Sequence, residues 1–307
     1  MMEYGHGGDI YRNRNVELDF SVNVNPLGMP NFVWEAAQRS IAFCTGYPDS
    51  SCENLRGRLS ELTSVPEDQM IFGNGAAELI FRLVQEVRPK KAVIPAPSFA
   101  EYETALRSCG TEIAFFYLKE AESFFLNVSE FLDFLRTEQP EIIFLCTPAN
   151  PTGAMIRQAD LSKILDYCKK HGILLVLDEC FVEFLDEERS CGCIREFLDW
   201  ETGRPEHGGD LFLLRAFTKT YAMAGLRLGY GMSGKNSFLK GGRSCIQPWN
   251  TSLPAQMAGE QALRATGYVE KTRLFIETER EFLDRQLREL AEAGKLKKVY
   301  PSQGNFI

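Results

Sequence analysis

Lys219 and Arg227 stand eight residues apart in the stretch LRAFTKTYAMAGLRLGY, whose other residues are mostly apolar or small. Among Phe217, Tyr221 and Met223 an amine loses hydration, and a nearby guanidinium repels it, so its charged form is disfavoured. The neutral amine is the form that makes a Schiff base with a carbonyl compound. The alternative for Lys219 is a surface lysine at the end of a strand. Arg227 is either an ion-pair partner within the protein or a clamp for phosphate oxygens.

The segment FGNGAAEL leads from a short strand into a helix. It matches the dinucleotide motif GxGxxG only in part, because Glu78 takes the place of the last glycine. Glycines allow a ligand to approach closely, and the amides of Ala76 and Ala77 at the helix start can bind a phosphate. A plain helix start is the alternative interpretation.

Three further residues follow predicted strands. Asp178 ends a buried strand, where a carboxylate is costly unless it is paired with backbone amides or with a protonated ring nitrogen. Asn150, in CTPANPTG, either belongs to a plain loop or bonds a ligand oxygen. Phe99, in PAPSFAEY, is either a core residue or a flat surface on which an aromatic ring stacks.

The elements that must position these residues follow an alternating pattern. Short apolar segments at 90–97, 141–148, 172–179 and 211–217 predict strands, and helices are expected at 76–87, 161–171 and 269–293. Such continuous apolar runs are typical of an α/β fold with a mainly parallel sheet and helices on both faces. The final segment, 295–307, is also expected to be a strand. The four chemical candidates Phe99, Asn150, Asp178 and Lys219 each follow a strand, at the edge where open α/β sheets bind ligands.

Composition limits the classes of function. The chain has 307 residues and a net charge of -8, which argues against a broad nucleic-acid surface. It shows no apolar leader and no run of about 18 apolar residues, so we expect no membrane span. Nine cysteines without a CxxC pair and three separated histidines indicate no metal site. Reduced thiols are typical of a cytoplasmic protein, which is our expectation here.

Six segments, taken in order, resemble the class I and II aminotransferases, which are pyridoxal phosphate (PLP) enzymes of fold type I. They are GYPD, GNGAAE, PSFAEY, TPANPTG, LDECFVEF and FTK followed by GLRLGY. The resemblance implies PLP as the cofactor and a three-layer large domain beside a smaller α+β domain. It places an N-terminal arm with part of the small domain at 1–44, the large PLP-binding domain at 45–250 and the start of the small domain at 251–307. Since the resembling proteins continue further, the small domain is expected to be incomplete.

Within this family the opening HGGDI with DFSVNVNPLGMP, and the later QPWNTSLPAQ, are similar to the threonine-phosphate decarboxylases of cobalamin biosynthesis. Histidinol-phosphate aminotransferases are the second choice. Phe181 stands where aminotransferases usually place a tyrosine that bonds the cofactor's ring oxygen, and this is a decarboxylase-like feature. Three functions stay open: decarboxylation of O-phosphothreonine to aminopropanol phosphate, transamination of histidinol phosphate or aromatic amino acids, and cofactor holding without turnover.

The resemblance also implies residue roles. Lys219 would hold the cofactor as a Schiff base, Asp178 would pair with the pyridine nitrogen, Asn150 would bond the ring oxygen and Phe99 would stack on the ring. The residues that would cup the phosphate are Gly75, Ala76, Ala77, Thr218 and Arg227, whereas Ala216 replaces a serine that many relatives use there. A homodimer is expected, in which Tyr47 reaches the partner's phosphate. The expected contacts to a phosphorylated, amino-acid-like substrate are His6, Gly7, Asn23 and Asn150.

Overall fold

The structure is a computed structural model that describes residues 7–185, 211–234, 246–265 and 267–307. The described residues form one seven-stranded sheet in the order β1-β7-β6-β5-β4-β2-β3. Its strands are β1 (Met70–Gly73), β2 (Lys91–Ala96), β3 (Glu112–Tyr117), β4 (Ile142–Cys146), β5 (Leu174–Asp178), β6 (Leu211–Ala216) and β7 (Gly229–Ser233). Strand β7 runs antiparallel to β1 and β6, and the other pairs are parallel. The four predicted strands are confirmed as β2, β4, β5 and β6.

The helices among the described residues alternate with these strands. They are α1 (Asn31–Ser40), α2 (Glu53–Thr63), α3 (Ala76–Val87), α4 (Ala100–Ser108), α5 (Val128–Glu138), α6 (Gln158–His171), α7 (Phe217–Thr220), α8 (Leu253–Ala262) and α9 (Tyr268–Glu292). The predicted helix at 76–87 coincides with α3, and the one at 269–293 differs from α9 by one residue at each end. Helix α6 begins three residues before the predicted start and ends at His171 as predicted, and the φ of 67° at Gly172 gives the left-handed cap that glycine favours.

Two apolar cores cover the two faces of the sheet, which makes three layers. Along β5, Leu175 and Leu177 face one core, while Leu174 and Val176 face the other. This alternation is the two-residue period of a strand. The first core takes residues from α1, α2, α5, α6 and α8, and the second takes residues from α3 and α4. The expected three-layer α/β architecture with a mainly parallel sheet is therefore confirmed.

The prediction of a strand at 295–307 is wrong, because this segment has no regular secondary structure. It lies beside loops rather than along a strand edge: the amide of Gln303 donates to the oxygen of Gly153 at 2.8 Å, and the hydroxyl of Tyr300 donates to Glu120.

Helices α1 and α8 pack on each other. Val33 of α1 and Ala258 of α8 join the same core as the sheet. The domain limits at residues 44 and 250 stay a prediction. Within the described ranges, no helix is long and apolar enough to cross a membrane.

Candidate active site

A cavity of about 190 Å³ lies at the carboxyl ends of the central strands β4, β5 and β6. Each of these strands is followed by a turn that brings a polar or charged side chain to the same edge, as expected for an open α/β sheet. The lining residues are Ala76, Ala77, Ile80, Phe99, Tyr102, Cys146, Asn150, Asp178, Cys180, Phe181, Ala216, Thr218, Lys219 and Arg227. The structure thus brings together the residues predicted to hold the ring and the imine carbon of PLP, and most of those predicted to hold its phosphate.

Asp178 is the last residue of β5 and is 5% exposed. Its Oδ1 accepts the backbone N–H of Cys180 at 2.9 Å, and its Oδ2 accepts the hydroxyl of Tyr102 at 2.5 Å. Burial raises the pKa of Asp178, while the hydrogen bonds from Cys180 and Tyr102 and the charge of Lys219 lower it. No cation of the described residues forms an ion pair with this carboxylate. A buried carboxylate of this kind suits a cationic group of a ligand, such as a protonated ring nitrogen.

Lys219 lies in the single turn of α7, directly after β6, rather than at the strand end itself. The turn is tied at both ends: the amide of Phe217 donates to Leu228 at 3.1 Å, and the amide of Asn25 donates to the oxygen of Lys219 at 3.1 Å. Burial lowers the pKa of the Lys219 amine and the charge of Arg227 lowers it further, whereas Cys180 and Asp178 raise it. At a given pH, a larger fraction of the Lys219 amine is therefore neutral than in an exposed lysine, as the sequence predicts.

The start of helix α3 also lines the cavity, through Ala76 and Ala77. Its first amides, including those of Ala76 and Ala77, have no acceptor within the helix and are available to an anion. Gly75 has a φ of 80°, and a Cβ there would collide with the guanidinium of Arg227. A Cβ on Gly229 would collide with the amide nitrogen of Ala76. The two glycines let a helix start and a guanidinium lie against each other, which is a suitable arrangement for a phosphate.

The other predicted residues at this cavity lie on its remaining walls. Phe99, at the start of α4, stands edge-on to Tyr102 with 5.6 Å between the ring centroids. Asn150 and Thr218 also line the cavity. The ring of Phe181 lies with its centroid 5.8 Å from the Lys219 amine and meets Phe306 in a T-shaped contact. This wall of the cavity is apolar where a tyrosine would bring a hydroxyl.

Some predicted residues lie elsewhere. Tyr47 does not line the cavity of its own chain; it is 80% exposed and stacks on Trp249 with centroids 4.4 Å apart. Neither Gly7 nor Asn23 lines the cavity, and the oxygen of Asn23 accepts the side-chain amide of Asn305. His6 lies outside the described residues. Of the predicted substrate contacts that the structure describes, only Asn150 lines this cavity.

The fold also brings to the site residues that were not predicted from the sequence. Tyr102, Cys146 and Cys180 line the cavity around Asp178. Tyr102 follows Phe99 by three residues, a spacing that places both on one face of α4, and this was the available signal. Asn25 holds the Lys219 turn from outside, since its side-chain amide donates to the oxygen of Thr220 at 2.7 Å. No group of three or more histidines, cysteines or carboxylates in the described part of the chain is arranged to hold a metal ion.

The cavity therefore offers an anion site, a buried carboxylate and a weakly basic amine along one path, with an aromatic ring beside them. A molecule that fits has a phosphate at one end, a basic ring nitrogen at the other and a carbonyl carbon near the amine. PLP has these three features, so the residues present fit this cofactor.

Comparison with known proteins agrees with this geometry. A family model described as aminotransferase class I and II matches residues 15–307. Threonine-phosphate decarboxylase from Salmonella typhimurium is 34% identical over 98% of this chain and 80% of its own length. A histidinol-phosphate aminotransferase from an Anaeromyxobacter strain is 33% identical over 93% of this chain and 74% of its own length.

Solved structures show the same fold. The histidinol-phosphate aminotransferase from Clostridium acetobutylicum matches with a TM-score of 0.79 at 28% identity, covering 92% of this chain and 80% of its own. The enzyme of that name from Sinorhizobium meliloti, solved in complex with pyridoxal-5'-phosphate, also matches with a TM-score of 0.79, over 92% of this chain and 72% of its own, at 19% identity. The family match over residues 15–307 and the cavity together lead to one conclusion: this chain is a PLP-dependent enzyme and belongs to the class I and II aminotransferase family.

Proposed function

We propose that the protein is a PLP-dependent carboxy-lyase that converts O-phosphothreonine to aminopropanol phosphate and carbon dioxide, a step of cobalamin biosynthesis. The observation that carries the proposal is the 34% identity to a threonine-phosphate decarboxylase over 98% of this chain. The apolar wall at Phe181 supports it, since the aminotransferases that the chain resembles usually place a tyrosine there.

In this proposal the cavity residues hold PLP from three sides. The amides of Ala76 and Ala77, the hydroxyl of Thr218 and the guanidinium of Arg227 hold its phosphate. Asp178 pairs with its ring nitrogen, Asn150 bonds its ring oxygen and Phe99 stacks on its ring. When bound, PLP supplies a ring that accepts the electron pair of a bond broken at the substrate's Cα.

Lys219 has two roles at the cavity. Its amine would hold the cofactor at the carbonyl carbon, with release of water, until the substrate's amine takes that place. Once displaced, the amine is free to return a proton to Cα after the carboxylate has left. Its lowered pKa suits both roles, because a neutral amine is needed to attack a carbonyl and a weakly basic ammonium gives up its proton more readily.

Transamination is the second candidate, and the 33% identity to a histidinol-phosphate aminotransferase favours it. The same cavity residues would serve, but Lys219 would remove a proton from Cα and deliver it to the cofactor's carbon. The two reactions differ in which bond at Cα breaks. The groups that orient the substrate decide this, and His6, Gly7, Asn23 and Asn150 are the predicted contacts.

The test is an assay of the purified, PLP-loaded protein with O-phosphothreonine, in which carbon dioxide and the amine product are both measured. We expect equal amounts of the two, and the Lys219→Ala variant should lose activity by about 10²–10⁴-fold. Formation of glutamate from 2-oxoglutarate with histidinol phosphate would instead establish the aminotransferase. If neither substrate turns over while borohydride fixes the cofactor on Lys219, the chain holds PLP without turnover.

We further infer a homodimer in which Tyr47 bonds the cofactor phosphate in the partner's cavity. The support is that Tyr47 does not line its own cavity and is largely exposed. Ile41 and Phe43, close to it in the chain, and Trp249, which stacks on it, are also exposed large apolar residues. Clustered apolar residues on a surface indicate a protein interface.

A further inference from the structure

Tyr102 connects helix α4 to the end of strand β5 through its hydroxyl, which donates to Asp178 Oδ2 at 2.5 Å. Its ring is 1% exposed and stacks on Phe144 of β4, with centroids 4.9 Å apart and planes 20° from parallel. It also makes a T-shaped contact with Phe99. A tyrosine packed on both sides has little freedom, so its hydroxyl is held at a fixed place beside the carboxylate.

The other groups around Asp178 give it less support. Cys180 contributes its backbone N–H at 2.9 Å and a thiol, which is a weak donor. Cys146 pairs in register with Asp178 across β4 and β5, and burial raises the pKa of its thiol. Lys219 acts on Asp178 through its charge without forming an ion pair. Among the described residues, Tyr102 therefore provides the strong side-chain donor to this carboxylate.

We propose that Tyr102 is a positioning residue that keeps Asp178 ionised and aims its free lone pairs at the ring nitrogen of PLP. A carboxylate in an apolar site tends to take up a proton, and a donated hydrogen bond favours its charged form. The charged form is the one that pairs with a protonated ring nitrogen. The proposal concerns the cofactor site alone, so it stands whether the chain is a decarboxylase or an aminotransferase.

The direction of the effect follows from the groups that face Asp178, which are Tyr102, Cys180, Cys146 and Lys219. The Tyr102→Phe variant removes one hydroxyl and keeps the ring stack. Without that donor, the pKa of Asp178 rises further above its usual value. As the pH falls, the carboxylate therefore becomes protonated at a higher pH than in the parent protein. PLP binding then weakens first at the acidic end of the range. We expect about tenfold weaker binding there, with a smaller difference at alkaline pH.

Two measurements test this without using turnover. Infrared titration of the cofactor-free protein, with Asp178→Asn as the reference spectrum, follows the carboxyl band of Asp178. The PLP dissociation constant is measured by fluorescence across the same pH range. In Tyr102→Phe both midpoints should move to higher pH. In the Asp178→Asn background, Tyr102→Phe should leave PLP affinity unchanged, because the hydroxyl acts through the carboxylate.

The matched control is Tyr230→Phe, which removes a buried hydroxyl from the core on the other face of the sheet. It should lower stability without moving either midpoint. If Tyr102→Phe leaves both midpoints where they are in the parent protein, Tyr102 is a packing residue and the proposal is overturned. An equal loss of PLP affinity in the Asp178→Asn background would overturn it as well.

A separate experiment with 3-fluorotyrosine covers the case in which Tyr102→Phe does not fold. Protein in which tyrosine is replaced by 3-fluorotyrosine keeps every ring and hydroxyl, but its phenols are more acidic and donate more strongly. Since Tyr102 is the phenol that acts on Asp178 among the described residues, the midpoint of Asp178 should move to lower pH. An unchanged midpoint would contradict the proposal.

Discussion

Lys219 and Arg227 are cations placed at one cavity, and the structure shows what each does to the other. The guanidinium adds to the effect of burial and lowers the pKa of the amine. In the unfolded chain the amine has its ordinary, higher pKa, so the folded state holds the proton more weakly. The contribution of this group to folding stability is therefore lowest at every pH below the folded pKa, and it rises as the pH increases through the folded and then the unfolded pKa.

The first prediction concerns the reactivity of this amine. In the cofactor-free protein, the rate of acylation of Lys219, followed by mass spectrometry, should reach half its maximum at a pH below the ordinary pKa of a lysine amine. In Arg227→Gln the midpoint for Lys219 should rise, because a like charge is removed. A midpoint that Arg227→Gln leaves in place would show that the guanidinium does not act on the amine.

Ala216 lines the cavity next to Thr218, at the place where relatives were expected to carry a phosphate-binding serine. We predict that Ala216→Ser tightens PLP binding about tenfold, since a hydrogen bond to a charged group contributes about 1.5–3 kcal/mol. The PLP dissociation constant, measured by fluorescence, checks this. Ala265→Ser adds a hydroxyl at a similarly buried site away from the cavity and should leave that constant unchanged. Unchanged or weaker binding in Ala216→Ser would show that the new hydroxyl does not reach the phosphate.

At the level of elements, the anion site depends on how closely β7 approaches the start of α3. We predict that Gly229→Ala weakens binding of PLP and of inorganic phosphate, because its Cβ overlaps the amide nitrogen of Ala76 and must displace the helix start. A loss of about tenfold or more is expected, together with a lower unfolding temperature. Isothermal titration with each ligand is the measurement.

Gly225→Ala is the matched control for this variant. Gly225 lies in the turn that precedes β7, has no positive φ, and a Cβ there meets nothing within 4 Å. It should bind both ligands as the parent protein does. If Gly229→Ala binds phosphate normally, the helix start tolerates displacement and the amides of Ala76 and Ala77 are not the anion site.

The sequence predicted the elements whose patterns are local. Strands β2, β4, β5 and β6 are buried on both faces and appear as continuous apolar runs, and α3 has a clear apolar stripe. Strand β3 was not predicted, since its residues are half-exposed at the sheet edge. The pairing of β7 with β1 joins segments far apart in the chain, which no local pattern encodes.

The same distinction holds for the site. The positions of Lys219, Asp178, Asn150 and Phe99 could be predicted because each lies at the end of a strand, or within four residues after it, at the ligand edge of the sheet. The spacing of Tyr102 from Phe99 was a signal that Tyr102 lies near the site, but its role could not be predicted, because its hydroxyl acts through a hydrogen bond to a residue 76 positions away. Asn25 is a similar case: it reaches the Lys219 turn across 195 positions. Roles that depend on such contacts require the folded structure.

At the level of the whole molecule, the exposed apolar residues around Tyr47 predict a dimer of about twice 34.7 kDa. Sedimentation velocity is the measurement. The double variant Ile41→Glu with Phe43→Glu should sediment as a monomer, because charges placed in an apolar interface lose hydration without a partner. Tyr117→Glu changes a residue that is equally exposed but lies on β3 at the sheet edge, and it should remain dimeric. A monomeric parent protein would contradict the proposed assembly.

Mixing two inactive variants tests whether Tyr47 acts across that dimer. If each site takes Lys219 from one chain and Tyr47 from the other, a hybrid of Lys219→Ala and Tyr47→Ala chains has one complete site and one that lacks both residues. Random mixing of equal amounts makes about half of the dimers hybrid, so about a quarter of all sites should bind PLP with the parent's affinity. If Tyr47 served its own chain, every hybrid site would lack one residue, and mixing would restore nothing. Recovery of high-affinity PLP binding after mixing, compared with each variant alone, therefore distinguishes the two arrangements.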